Sequence, residues 1–176
     1  MSTTSSHDPT TETTGETATV PRSVTELLGD HSRIAMVMTM IDDRHSSRPV
    51  TIADVTERRL SFLVSRSAAW VQSIVAQTAV VHVTVADEAR NVYLALNGTA
   101  LAVHDELELD RLWSPLARAW FTGPDDPDLA VLHFDVNDGE YWDGPSGRLG
   151  RVVAMLHAAM GDVTGGGEHG PVIGNG

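Results

Sequence analysis

The chain has 176 residues, which is enough for one domain with a substantial buried core. It contains no cysteine, so disulfides, zinc–thiolate sites and thiol catalysis are excluded. All 12 basic residues are arginine, which excludes Schiff-base chemistry on lysine, and the net charge of −12 argues against nucleic acid and anionic membranes as partners.

The two ends of the chain lack an apolar pattern. Residues 1–20 are rich in Ser and Thr, which predicts a disordered N-terminal tail, and residues 161–176 are Gly-rich, which predicts a flexible C-terminal tail. The domain is therefore expected over residues 21–160. No apolar run approaches the ~20 residues of a membrane span, and the N-terminus lacks a secretion-signal layout, so we expect a cytoplasmic protein.

The first elements are a short helix and a strand. Ser23 and Glu26 are spaced as a capping box for a helix over Val24–Leu28, which is expected to stop at the following glycine. Ile34–Ile41 alternates with a period of two, which predicts a strand, and residues 42–45 predict a hairpin turn.

A second strand, opening at Ser47, a turn at 56–59 and a third strand at 60–64 are predicted next, followed by a helix at 68–77. The cluster Ser65-Arg66-Ser67 joins this third strand to the helix and has two interpretations. Free N–H groups and a guanidinium could cradle an anion, or a serine could simply cap the helix while the arginine faces solvent.

The second half of the domain continues with strands. Residues 80–86 and 91–103 predict two of them, with Gly98 marking a bulge or bend in the second. Asp105 is expected to cap a helix that Pro115 interrupts, with its aromatic residues in the core. Two further strands are predicted at 129–136 and 140–142, on either side of residues 137–139. An amphipathic helix is predicted at 148–160.

Six or seven closely spaced strands, mostly joined by hairpins, predict a mainly β protein built as a small antiparallel barrel with short helices. Long βα alternation is absent, which argues against a doubly wound parallel sheet. The histidines show neither H-x-H nor HExxH spacing, so no metal site is predicted.

Several segments resemble the general-stress-protein branch of the pyridoxamine 5′-phosphate oxidase-like FMN-binding split barrels. The similarity covers about residues 24–160, in the expected order. The segments that carry it are Ser47-Arg48-Pro49, Phe62-Leu63-Val64-Ser65-Arg66, residues 112–121 (LWSPLARAWF), residues 123–129 and residues 141–147 (YWDGPSG). The resemblance implies a six-stranded antiparallel split β-barrel that works as a homodimer, with FMN in clefts at the subunit interface.

The resemblance also implies roles for individual residues. Arg48 would contact the flavin phosphate or ribityl chain, and the backbone around Pro49 and Val50 would approach the isoalloxazine ring. Ser65 and Arg66 would line the ring edge and the phosphate. A second set completes the implied cofactor-binding site: Val64 beside Ser65, Trp70 at the phosphate end, and Trp142 packing near the ring from the opposite subunit.

Three positions depart from the family pattern. Val64 stands where relatives have a hydroxyl, Ala68 where they have a phosphate-capping serine, and Trp70 where they have a phosphate-binding lysine. An indole has one N–H donor and no charge, so the phosphate site is expected to be weakened.

Three functions therefore remain open. The first is an FMN-binding redox protein, a flavin-dependent oxidoreductase of unknown substrate. The second is the same fold holding a deazaflavin coenzyme or another planar ligand. The third is a non-catalytic dimeric stress or ligand-binding module that has lost FMN.

Overall fold

The computed structural model of the protein describes residues 21–29, 34–75, 78–144 and 168–174. Strands dominate these ranges, and three short α-helices and one 3-10 turn accompany them. The strands are β1 Ile34–Ile41, β2 Arg44–Val55, β3 Arg59–Ser65, β4 Ala79–Asp87, β5 Val92–Val103, β6 Leu129–Asp143 and β7 Glu168–Pro171. The α-helices are α1 Val24–Leu28, α2 Ala69–Val75 and α3 Glu106–Leu112, and the 3-10 turn is Ala117–Ala119.

The strands form one antiparallel sheet in the order β3-β2-β1-β4-β5-β6-β7, and β3 also pairs with β6. This additional pairing closes the first six strands into a barrel, while β7 extends the far half of β6 as an added edge. The six-stranded antiparallel barrel predicted from the sequence is confirmed. Alternate residues of β1, β4 and β5 are buried, and the core is rich in Val and Leu.

The predicted caps are present. The Ser23 side chain accepts a hydrogen bond from the Glu26 backbone, and the Glu26 carboxylate accepts one from the Ser23 backbone. The Asp105 carboxylate accepts a hydrogen bond from the Glu108 backbone at the start of α3. Helix α3 ends before Pro115, and the chain continues as the 3-10 turn, as the missing N–H of proline requires.

The first hairpin is tighter than expected. Asp42 and Asp43 both have positive φ values, 50° and 57°, which is the geometry of a two-residue turn whose twist matches the strands. Ile41 and Arg44 close the ladder directly beside this turn. The turn predicted over residues 42–45 is therefore two residues long, and β2 begins at Arg44.

The prediction of two strands separated by residues 137–139 is wrong, because β6 runs without a break from Leu129 to Asp143. The irregularity is instead a bulge, where the β5–β6 register shifts between Asn97 and Gly98. A Cβ atom on Gly98 would collide with the Asp135 carbonyl oxygen and lie 2.8 Å from the Phe134 ring. The bulge predicted at Gly98 is confirmed, and it lets β6 bend without ending.

The predicted flexible C-terminal tail is corrected over residues 168–171, which form β7 against β6. The Arg22 side chain donates a 2.7 Å hydrogen bond to Asp143, and the Ile173 backbone donates one of 3.0 Å to the Arg22 carbonyl, so both ends of the domain meet at this edge. The predictions for residues 1–20 and for a helix at 148–160 lie outside the described residues. Within the described ranges, no helix is both long and apolar enough to cross a membrane.

We expect Gly98→Ala to destabilise the fold by about 1–3 kcal/mol, because the added methyl group must displace backbone rather than a flexible side chain. Urea unfolding followed by circular dichroism measures the change. Thr99→Ala, on the neighbouring half-exposed position, is the control and should be nearly neutral. A Gly98→Ala variant as stable as the wild type would contradict the role given to the bulge.

Candidate functional site

One large cleft, of about 970 Å³, opens on the barrel wall beside β2. This volume is at the upper end of the range of about 300–1,000 Å³ usual for small-molecule sites. Strand β2, the end of β3, α2 and the segment after α3 form its walls. Its lining includes Arg48, Pro49, Val50, Val64, Ser65, Trp70, Leu112, Leu116, Trp120, Phe121 and Asp128.

Arg48 is the only cationic side chain among the described residues that line the cleft. Its guanidinium lies 4.5 Å from the centre of the Trp70 ring and donates a 2.9 Å hydrogen bond to the Oγ1 of buried Thr39. A second bond, of 3.0 Å, goes to the Ser46 carbonyl. Partial burial lowers the pKa of Arg48, although an arginine stays charged at neutral pH. Trp70 therefore positions the positive charge that the described lining residues bring to the cleft.

The turn after β3 presents hydrogen-bond donors that could bind an anion, and a carboxylate of the same chain accepts from them. Ser67 donates from its backbone N–H to Asp128 Oδ1 at 2.8 Å and from its hydroxyl to Oδ2 at 3.1 Å. The Ser65 hydroxyl donates to the same Oδ2. These hydrogen bonds lower the pKa of Asp128, and the bond from Ser65 has the largest effect. The anion that the sequence suggested for this turn is thus an aspartate 61 residues away.

The opposite wall is held against the barrel by a chain of polar contacts. Arg111 of α3 bonds Asp54 of β2 at 3.0 Å, and Glu108, one turn earlier, bonds His133 of β6 at 3.0 Å. His133 in turn lies 3.3 Å from the hydroxyl of buried Ser61. Since α3 leads directly into the aromatic segment that lines the cleft, these contacts link that segment to β2 and β6.

Six of the eight residues predicted for the site line this cleft, and two do not. The Arg66 guanidinium donates to the Pro127 carbonyl at 3.4 Å. Trp142 stacks on His169 with ring centres 5.1 Å apart, on the edge formed by β6 and β7. Neither residue is among those lining the cleft of its own chain.

Two important residues were not found from the sequence. The sequence assigned no role to Asp128, although it immediately precedes β6 and so lies beside the end of β3. Trp120 was expected in the core, yet it is 83% exposed at the rim of the cleft. Trp113 and Phe121, expected in the core with it, are half-buried against a small second cluster.

The arrangement suits a flat ligand with one polar or anionic edge. Apolar walls favour an aromatic ring, and Arg48 supplies a charged donor with fixed orientation. Within the described part of the chain, no group of three or more His, Asp or Glu side chains is placed to hold a metal ion.

Residues 20–165 match the model of the family described as pyridoxamine 5′-phosphate oxidase like. No curated protein matches the chain.

Solved structures similar to this chain include general stress proteins. A general stress protein 26 from Jannaschia sp. CCS1 aligns with a TM-score of 0.69 and 25% identity, over 80% of this chain and 89% of that one. The general stress FMN/FAD binding protein of Xanthomonas citri aligns with a TM-score of 0.57 and 25% identity, over 65% of this chain and 82% of that one. General stress protein 26 of Bacillus anthracis shares the fold. It aligns with a TM-score of 0.59 and 18% identity, over 67% of this chain and 89% of that one.

The contacts of Asp128 predict a pH dependence of stability. Because the folded state lowers its pKa, ionised Asp128 stabilises the fold above the ordinary aspartate pKa of about 4, and this contribution is lost as the pH falls through the lower folded value. Melting temperatures measured from neutral pH to below pH ~4 should therefore fall less steeply in Asp128→Asn than in the wild type. Asp125→Asn, an exposed change in the same loop, should keep the wild-type slope. Equal slopes in all three proteins would contradict these contacts.

Proposed function

The chain belongs to the pyridoxamine 5′-phosphate oxidase-like family, and we propose that it is a flavin-binding redox protein of the general-stress type, working in the cytoplasm as a homodimer. The observation that carries the proposal is the cleft beside β2, with Arg48 held on the face of Trp70. The FMN/FAD binding named for the Xanthomonas citri relative supports the same ligand class.

The ring system of a flavin fits the residues present. Pro49 and Val50 give one side of the cleft an apolar edge, and Leu116 and Trp120 give the other side an exposed apolar wall. A bound flavin supplies hydride transfer, while the protein supplies orientation, charge and exclusion of water. Arg48 would hold the polar edge of the ligand, since its guanidinium is fixed by Thr39 and the Ser46 carbonyl.

The phosphate of FMN does not fit the Ser65–Ser67 turn, because the Asp128 carboxylate occupies its donors. Trp70 offers no ammonium in compensation, and its ring face is already engaged with Arg48. The proposal for this chain therefore concerns the flavin ring, and FMN is the form that the family resemblance predicts.

Arg48→Met should weaken flavin binding by roughly tenfold to a hundredfold, because one charge-assisted hydrogen bond contributes roughly 1.5–3 kcal/mol. Arg44→Met, an exposed position on the same strand, is the matched control and should bind as the wild type does. Binding is measured by quenching of flavin fluorescence on titration with the protein.

The absorption spectrum of the purified protein tests the function itself. The two-banded spectrum of an oxidised flavin, bleached on reduction while the flavin stays bound, is the expected result. A single deazaflavin-type band would favour the alternative coenzyme. If the protein is colourless and binds added flavin with a Kd no lower than about millimolar, the flavin function is wrong, and the protein is better described as a non-catalytic module.

The homodimer is proposed from the outer face of the barrel. Neighbouring strands β1, β4 and β5 expose large apolar side chains on that face: Ile34, Met36, Met40, Val80, Tyr93 and Leu101. Met36 pairs directly with Pro49, which also lines the cleft, so the apolar face continues to the cleft mouth. Several large apolar side chains exposed on one face are typical of interfaces, and a second copy would complete the site.

Val80→Glu should convert the dimer to a monomer and weaken flavin binding, because the buried interface would have to accept an unpaired charge. Val80 is 82% exposed in the single chain, so the variant should fold. Leu107→Glu, 84% exposed on α3, is the control and should remain dimeric. Light scattering after size exclusion gives the mass, and a wild-type protein with the mass of one chain would contradict the shared cleft.

A further inference from the structure

We propose that Asp128 determines which flavin the cleft accepts. Its carboxylate closes the Ser65–Ser67 turn to phosphate, so that the cleft prefers a flavin whose side chain ends in a hydroxyl to one that ends in a phosphate monoester. This inference rests on the proposed flavin function and narrows its ligand.

The geometry is that of an occupied anion site. Three donors from two serines converge on the two oxygens of Asp128, at distances of 2.8 and 3.1 Å for those of Ser67. A carboxylate has about four acceptor positions, so these donors leave about one free. A phosphate could reach the same donors only by displacing the carboxylate.

The backbone of Asp128 is held on both sides, which keeps its side chain beside the serine turn. Its carbonyl accepts a 2.7 Å hydrogen bond from the Arg66 N–H, and its own N–H donates one of 2.9 Å to the Asp126 carboxylate. The next residue, Leu129, is already paired with Ser65 in the β3–β6 ladder. To swing away, the carboxylate would have to break all three of its hydrogen bonds to Ser65 and Ser67.

The charge balance of the cleft favours the same selection. Among the described lining residues, the positive charge is Arg48 and the negative charges are Asp54 and Asp128, of which Asp54 is paired with Arg111. A phosphate monoester carries about −1.5 to −2 charges at pH 7 and would meet an ionised Asp128. A hydroxyl can instead donate to the remaining acceptor position of that carboxylate. An aspartate is ionised at neutral pH, and the hydrogen bonds from Ser65 and Ser67 lower the pKa of Asp128 further.

Titration of the full chain with riboflavin and with FMN tests the selection. The wild type should bind riboflavin at least as tightly as FMN. Asp128→Asn, which removes the charge and keeps the shape, should tighten FMN by about tenfold and should not tighten riboflavin. Asp128→Ala, which also frees the serine donors, should tighten FMN at least as much. Asp125→Asn removes the same charge from the same loop and should change neither affinity.

A second measurement does not depend on flavin. Inorganic phosphate, added to the isotope-labelled full chain, should shift the Ser67 amide resonance in Asp128→Ala and leave it unmoved in the wild type. If neither flavin binds any variant while phosphate shifts this resonance in Asp128→Ala alone, the flavin function is refuted and the closed turn is upheld. A wild type that prefers FMN by tenfold or more, or a preference unchanged in both Asp128 variants, would overturn the selection proposed here.

Discussion

The pairing of β3 with β6 is the interaction on which the rest of the molecule depends. Its ladder runs from Arg59 opposite Asp135 to Ser65 opposite Leu129, and it converts an open sheet into a barrel. The Arg59 guanidinium makes two hydrogen bonds to Asp135, at 2.7 and 3.1 Å, which fixes the register at one end. At the other end the same register delivers Asp128 to the serines that follow β3. The register of the β3–β6 pair therefore determines both the closure of the barrel and the position of Asp128 in the cleft.

The cleft joins two local arrangements that the barrel holds in place. On one side, Trp70 of α2 and Thr39 of β1 orient Arg48, the cationic side chain among the described lining residues. On the other side, Asp128 neutralises donors that would otherwise attract a second anion. Trp70 stands where the resemblance implies a phosphate-binding lysine. An uncharged ring at this position and the self-occupied serine turn both disfavour a second anion, while the apolar walls of the cleft are kept.

Much of the fold could be predicted because its signals are local. Alternation with a period of two revealed the β1 strand, and capping residues fixed the starts of α1 and α3. Predictions were wrong where tertiary context overrides local preference. Residues 137–139 read as a turn, yet they stay extended because β5 pairs with them across a bulge at Gly98.

The candidate site was harder to predict because its contacts are distant in sequence. Resemblance located Arg48, Ser65 and Trp70, but no spacing rule connects Ser67 with a carboxylate in another loop. The available signal was the strand pairing itself: once β3 and β6 are placed side by side, Asp128 must lie next to Ser65. Similarly, the exposure of Trp120 follows from the break at Pro115, which ends the helical periodicity that suggested a core position.

The C-terminal strand has a consequence for handling the protein. Strand β7 covers the outer edge of β6 from Glu140 to Asp143, and a bare edge of this kind recruits strands from other molecules. Proteolytic trimming before Glu168 would expose these backbone groups beside the apolar ring of Trp142. Such a shortened product would be prone to non-native oligomerisation by strand addition, and its larger mass could be mistaken for native assembly.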